Sequence, residues 1–151
     1  MARISDRSLL FRTKRVMSKD LAFVLKSKQL HRGTKQAVLD QVLWVWSEFE
    51  GKYQGCRLWS VAARASGSKR EGLIHEHLIP RKIVRSKLFG LKSPTPEAVY
   101  RILQRWCVGV VVTKEEDRRL NDLKLGSSMP KSWNGKNKRA RYQHAGIEIA
   151  P

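Results

Sequence analysis

The chain has 151 residues, 41% of them hydrophobic and five of them Trp, with 31 Lys+Arg against 13 Asp+Glu and a formal net charge of +18. Two cysteines, Cys56 and Cys107, exclude a disulfide scaffold, and no apolar run approaches the roughly 18 residues of a membrane-spanning helix. The basic N-terminus lacks the apolar stretch of a secretory signal, so the expected setting is cytoplasmic and reducing, and the expected partner is a polyanion, not a membrane.

The charge falls in blocks. Residues 1–35 carry ten basic and two acidic side chains, residues 67–94 seven and two, and residues 126–151 five and one, while 36–66 and 113–125 are neutral. This predicts a basic N-terminal arm (1–33), a central core (34–125) and a basic C-terminal extension packed on it (126–151). Such a field attracts phosphate backbones without reading sequence.

Taken in chain order, Asp20 is expected to cap a short helix through Leu21, Phe23, Val24 and Leu25, stopping near Gly33. Thr34 is expected to cap the next helix. Its apolar positions Val38, Leu39, Val42, Leu43, Val45, Trp46 and Phe49 repeat at helical spacing, Trp44 widens the stripe, and Gly51 ends it. The Ala-rich segment 58–65 reads as a helix, and 72–79 as a strand stopped by Pro80. Residues 81–91 read as a helix with Arg81, Lys82, Arg85 and Lys87 on a basic face. Thr95-Pro96 starts another helix, to about Trp106, with Thr as cap and Pro in the first turn. The β-branched run 107–112 is a buried strand. Thr113 and Glu116 form a capping box opening a helix to about Lys124, closed by Gly126. A short helix within 139–145 and a terminal strand at 147–149 complete the reading. The fold class is α+β, mostly helical, with a small sheet of two or three strands.

Two pieces carry chemistry. His75-Glu76-His77-Leu78-Ile79-Pro80 sets a carboxylate between imidazoles at a strand end, and strand alternation points both imidazoles to one face. Thr113-Lys114-Glu115-Glu116-Asp117 places three carboxylates in the first turn of a helix. Phosphodiester hydrolysis needs a base for water and a hard cation for the developing charge. Histidine suits the first task, and carboxylate oxygens bind Mg²⁺ or Mn²⁺ for the second.

Over residues 72–124 these pieces resemble the HNH, or ββα-metal, nuclease superfamily. In that group an acid–His pair followed by apolar residues and Pro precedes a second strand, then a helix that supplies a further metal ligand. The resemblance implies a ββα-metal-like element with a helical insertion between its strands. It implies His77 as general base, Glu76 and Asp117 as ligands of one Mg²⁺ or Mn²⁺, Glu116 as the alternate ligand, and activity as a metal-dependent endonuclease, with DNA the favoured substrate. Asp117 stands where the family usually has His or Asn, about thirty residues separate the two elements, and no CxxC pair for a structural zinc is present. Arg12, Lys14, Arg15, Arg81, Lys82, Arg85, Lys87, Arg118, Lys138, Arg139 and Arg141 are the expected nucleic-acid contacts. The competing expectation is a non-enzymatic basic nucleic-acid-binding protein, a component of a ribonucleoprotein, in which the histidine pair is structural.

Overall fold

The computed structural model describes residues 13–67 and 70–150. The elements are α1 (Lys14–Lys26), α2 (Arg32–Ser47), a 3₁₀ turn at Tyr53–Gly55, β1 (Leu58–Ser60), α3 (Val61–Ala65), a 3₁₀ turn at Arg70–Gly72 and β2 (Leu73–His77). There follow α4 (Arg81–Phe89), α5 (Pro96–Trp106), β3 (Gly109–Thr113), α6 (Lys114–Asp122), α7 (Ala140–His144) and β4 (Ile149–Ala150). The fold is α+β: helices around a mixed four-stranded sheet of order β2-β3-β1-β4. β3 pairs parallel with β1 and antiparallel with β2, and β4 runs antiparallel to β1 at the edge.

Several starts follow the local chemistry. The Thr95 hydroxyl accepts from Ala98 N, with Pro96 in the first turn. Thr113 accepts from Glu116 N while Glu116 reaches back to Thr113 N, a complete capping box. Other starts differ. Thr13, not Asp20, caps α1 through a bond from Val16 N, and the helix begins early enough to bury Met17, Leu21 and Ala22. His31, not Thr34, caps α2, its ring nitrogen Nδ1 accepting from Gly33 N. Residues 58–65 split, because Trp59 pairs with Val111 and Ala150 in the sheet and the Ser60 hydroxyl then caps α3. α6 ends at Asp122, and Lys124, at φ 58°, supplies the left-handed backbone of the turn, not Gly126.

Three apolar clusters surround the sheet. Met17, Leu21, Leu39, Leu43, Trp46, Val84, Leu88, Val99 and Leu103 join α1, α2, α4 and α5. α1 thus belongs to the core, so the expected arm is a packed element from residue 14 onward. Across the sheet, Val110, Val112, Leu120, Tyr142, Ile147 and Ile149 join β3 to α6 and the C-terminal segment. Trp59, Ala63, Leu73 and Val111 fill the space beneath α3. No helix among the described residues is long and apolar enough to cross a membrane.

Candidate nucleic-acid interface

The acid–histidine segment forms the end of edge strand β2, and alternation divides it. Leu73, His75 and His77 are buried on one face, Ile74 and Glu76 half-buried on the other. The histidine face lies against α2. His77 Nε2 is 3.3 Å from the Leu43 carbonyl; since a carbonyl only accepts, Nε2 carries the proton. Cys107 Sγ shares that carbonyl at 3.2 Å. The His77 ring meets Trp44 edge-on at 4.6 Å between centroids. Burial pushes its pKa down to about 3, helped by His75, Arg81 and Arg141 and opposed by the Leu43 carbonyl. His75 is pushed down to about 4 by burial and by Lys52, with the Ser47 carbonyl pulling the other way. Among the described residues neither of its buried ring nitrogens reaches a partner at hydrogen-bond geometry, the Ser47 carbonyl lying near but not bonded. Gly109 faces this ring: a Cβ there would sit 2.8 Å from it and 3.0 Å from the Ser47 carbonyl.

On the opposite face, Glu76 meets Arg141. This arginine is fully buried, and Nη2 donates to Glu76 Oε2 at 2.7 Å and to the His77 carbonyl. Nη1 donates to the Leu125 and Gly126 carbonyls at 2.8 and 3.1 Å, and the Tyr142 hydroxyl donates to the His77 carbonyl at 3.2 Å. One guanidinium therefore ties the end of β2 to the turn after α6. The expectation that Arg141 contacts nucleic acid is corrected here, because a fully buried side chain with these bonds cannot reach a phosphate. Burial pushes the Glu76 carboxyl up, Arg141 pulls it down, and nearby Asp117 pushes it up again.

The donor set proposed for a divalent cation is arranged otherwise than the resemblance implies. Glu76 and Asp117 are electrostatic neighbours, but Glu76 holds Arg141 and Asp117 accepts from Asn121 Nδ2 at 3.2 Å. Glu116 is buried, and its Oε2 accepts from the Ser60 hydroxyl at 2.5 Å and from Thr113 N at 2.9 Å. His77 lies on the other face of the strand. No group of three or more His, Cys, Asp or Glu able to hold a metal occurs among the described residues. A cationic guanidinium on Glu76 repels a second cation at that oxygen, so these side chains as arranged do not fit Mg²⁺ or Mn²⁺.

Both Glu76 and His77 nevertheless border a cleft of about 300 Å³, with Asp40 and Trp44 of α2, Pro80, Arg81, Lys82 and Arg85 at the start of α4, and Gly126 and Ser127. Arg85 is paired with Asp40 at 2.5 Å. The Arg81 guanidinium lies 4.5 Å from the Trp44 ring centroid, and Lys82 is exposed. Neither Arg81 nor Lys82 forms an ion pair among the described residues. Trp44, for which the sequence favours core packing over base stacking, is partly buried and carries Arg81 over its ring.

The other expected contacts scatter. Lys14 pairs with Glu50 at 2.9 Å, and Arg15 with Glu97 at 2.7 Å while stacking on Tyr100. Arg118 is exposed on α6. Arg139 donates to the Ile149 carbonyl at 3.2 Å, and Lys87 and Lys138 converge on Trp106. Arg12 lies outside the described residues. A second hollow, of about 260 Å³, is formed by the C-terminal loop and α7 and includes Trp133, Asn137, Gln143 and His144. Its amides bond to each other, Asn137 Nδ2 to Gln143 Oε1 at 2.7 Å. No protein family, no curated protein and no solved structure was found to match this chain.

Proposed function

We propose that this protein binds nucleic acid through the cleft between α2 and α4, gripping the phosphate backbone without reading sequence. The carrying observation is the pair of cations there: the Arg81 guanidinium 4.5 Å from the Trp44 ring centroid and Lys82 exposed beside it, neither with an ion-pair partner among the described residues, in a chain of net charge +18. A cation–π contact holds a guanidinium beside the ring while N–H donors stay available for a phosphate. The test is fluorescence anisotropy of labelled single- and double-stranded oligonucleotides over a salt series. The parent should lose affinity linearly in log–log form. Arg81→Gln/Lys82→Gln should bind about tenfold more weakly, with a slope shallower by about one to two. Equal affinity and slope in parent and variant refute the reading.

One observation favours a second reading, phosphodiester hydrolysis. Glu76 and His77 border the same basic cleft, and β2 pairs antiparallel with β3, which leads into α6, with α4 and α5 inserted between the two strands. Against it stand the buried, weakly basic imidazole and the arginine already on Glu76; a general base works best with a pKa near the operating pH. Incubating DNA and RNA with Mg²⁺ or Mn²⁺, with and without chelator, decides it. Cleavage by the parent that His77→Ala abolishes supports hydrolysis, and no cleavage by the parent removes it.

A further inference from the structure

A second group of cations lies outside the cleft. Trp106, the last residue of α5, is 8% exposed, and three basic side chains from three segments surround its ring. Lys87 Nζ of α4 is 4.1 Å from the centroid, the Arg105 guanidinium 5.2 Å, and Lys138 Nζ from the C-terminal loop 5.7 Å. None of the three forms an ion pair among the described residues. Three positive charges thus meet one indole with no carboxylate paired to any of them among the described residues. Burial, and then the nearby Arg105, holds the Lys138 ammonium below its usual pKa, so part of the cost of charging it is repulsion by Arg105. An anion beside Arg105 and Lys138 relieves that repulsion, and Lys87 adds a third positive charge at the same ring.

The group is also separate from the cleft. Lys87 is six residues beyond Arg81, about two-thirds of a turn round α4 and about 9 Å along its axis. It therefore stands on a different flank of the same helix. The Arg105 fork and two ammonium groups suit an oxyanion with several accessible oxygens.

We infer that Lys87, Arg105 and Lys138, arrayed around Trp106, form a second phosphate site, occupied by the backbone of the same nucleic acid that enters the cleft. This rests on the nucleic-acid-binding reading above and gives α4 a phosphate contact on each flank. The strand crosses the helix between them. Arg105 and Trp106 are thereby binding residues that charge clustering in the sequence does not single out.

The test uses the full chain and the triple variant Lys87→Gln/Arg105→Gln/Lys138→Gln, with Lys87→Arg/Lys138→Arg as a charge-preserving control and circular dichroism to verify the fold. Anisotropy with a labelled 20-mer should give the triple variant a salt slope shallower by about two, while the control keeps the parent slope. Pyrophosphate at low salt should change tryptophan emission saturably in the parent and not in Trp106→Phe or the triple variant. Unchanged affinity and slope in the triple variant, beside a parent that binds, overturn this site and leave the cleft standing. A parent that binds no oligonucleotide overturns both. Displacement of the oligonucleotide by equimolar polyglutamate overturns the phosphate assignment in favour of an acidic protein.

Discussion

Lowering the pH from 7 to 5 should destabilise the fold through its two buried imidazoles. His75 and His77 are pushed down to about 4 and about 3, chiefly by burial between β2 and α2. In the unfolded chain each titrates near 6.5. A group whose folded pKa is lowered in this way binds its proton only in the unfolded state over that window. The neutral-ring stability is thus complete above about pH 6.5 and falls as the pH drops toward 4 and then 3. At pH 5 the difference is about 2 kcal/mol per ring, or about 4 kcal/mol for both. Against a typical net stability of about 5–15 kcal/mol this is large, and it corresponds to a fall of about 10 °C in Tm for a chain of this size. Glu76 titrates in the opposite sense: its pKa is raised by burial, so protonation returns some stability at the acid end. The assay is urea unfolding at half-unit pH steps in the parent and in His75→Leu. Leucine removes an imidazole that has no hydrogen-bond partner among the described residues, so the variant should lose about half as much as the parent between pH 7 and 5. A parent whose stability is flat over that range, or a variant that falls as steeply, refutes the reasoning.

Gly109→Ala should cost about 1–3 kcal/mol in urea melts, because its Cβ would lie 2.8 Å from the His75 ring and 3.0 Å from a backbone carbonyl. Thr113→Ala should cost about 1 kcal/mol by the same measurement, removing the hydroxyl that accepts from Glu116 N at the start of α6. Arg141→Met should cost about 3–5 kcal/mol, since it leaves Glu76 without its buried partner. Adding Glu76→Leu should recover only part of that, because the carbonyls of His77, Leu125 and Gly126 also lose their donor; full recovery would show that only the ion pair mattered.

The parts of the fold that were legible are those written in a few adjacent residues. Thr95-Pro96 and the Thr113–Glu116 box carry their own boundaries in side-chain hydrogen bonds, whereas the β-branched run marks β3 but not its start: the strand begins at Gly109, not Cys107, because Cys107 N still bonds to the Leu103 carbonyl of α5. β1 was hidden because three residues in an Ala-rich stretch become a strand only by pairing with β3, some fifty residues on. The core role of α1 was masked by its charge: Lys14, Arg15 and Lys19 flank its buried residues Met17, Ser18, Leu21 and Ala22, and the basic character of the whole block hides that apolar side. Arg141 shows the same limit within the site. Among Lys138, Arg139 and Tyr142 it reads as one cation of a contact strip, and only the fold brings it to Glu76 and the His77 carbonyl. The acid–histidine pair was visible, but the division of its two side chains between opposite faces depends on β2 remaining regular through His77.

The central claim is that nucleic acid occupies the cleft between α2 and α4, and photocrosslinking tests it most directly. An oligonucleotide carrying 5-bromouracil is irradiated with the full chain at low salt, and the adducts are mapped by mass spectrometry. The account predicts adducts on Trp44 and on peptides spanning the start of α4, suppressed by raised salt and by Arg81→Gln/Lys82→Gln. Adducts confined to β1 and α3, or the same pattern and yield in that variant, would contradict it.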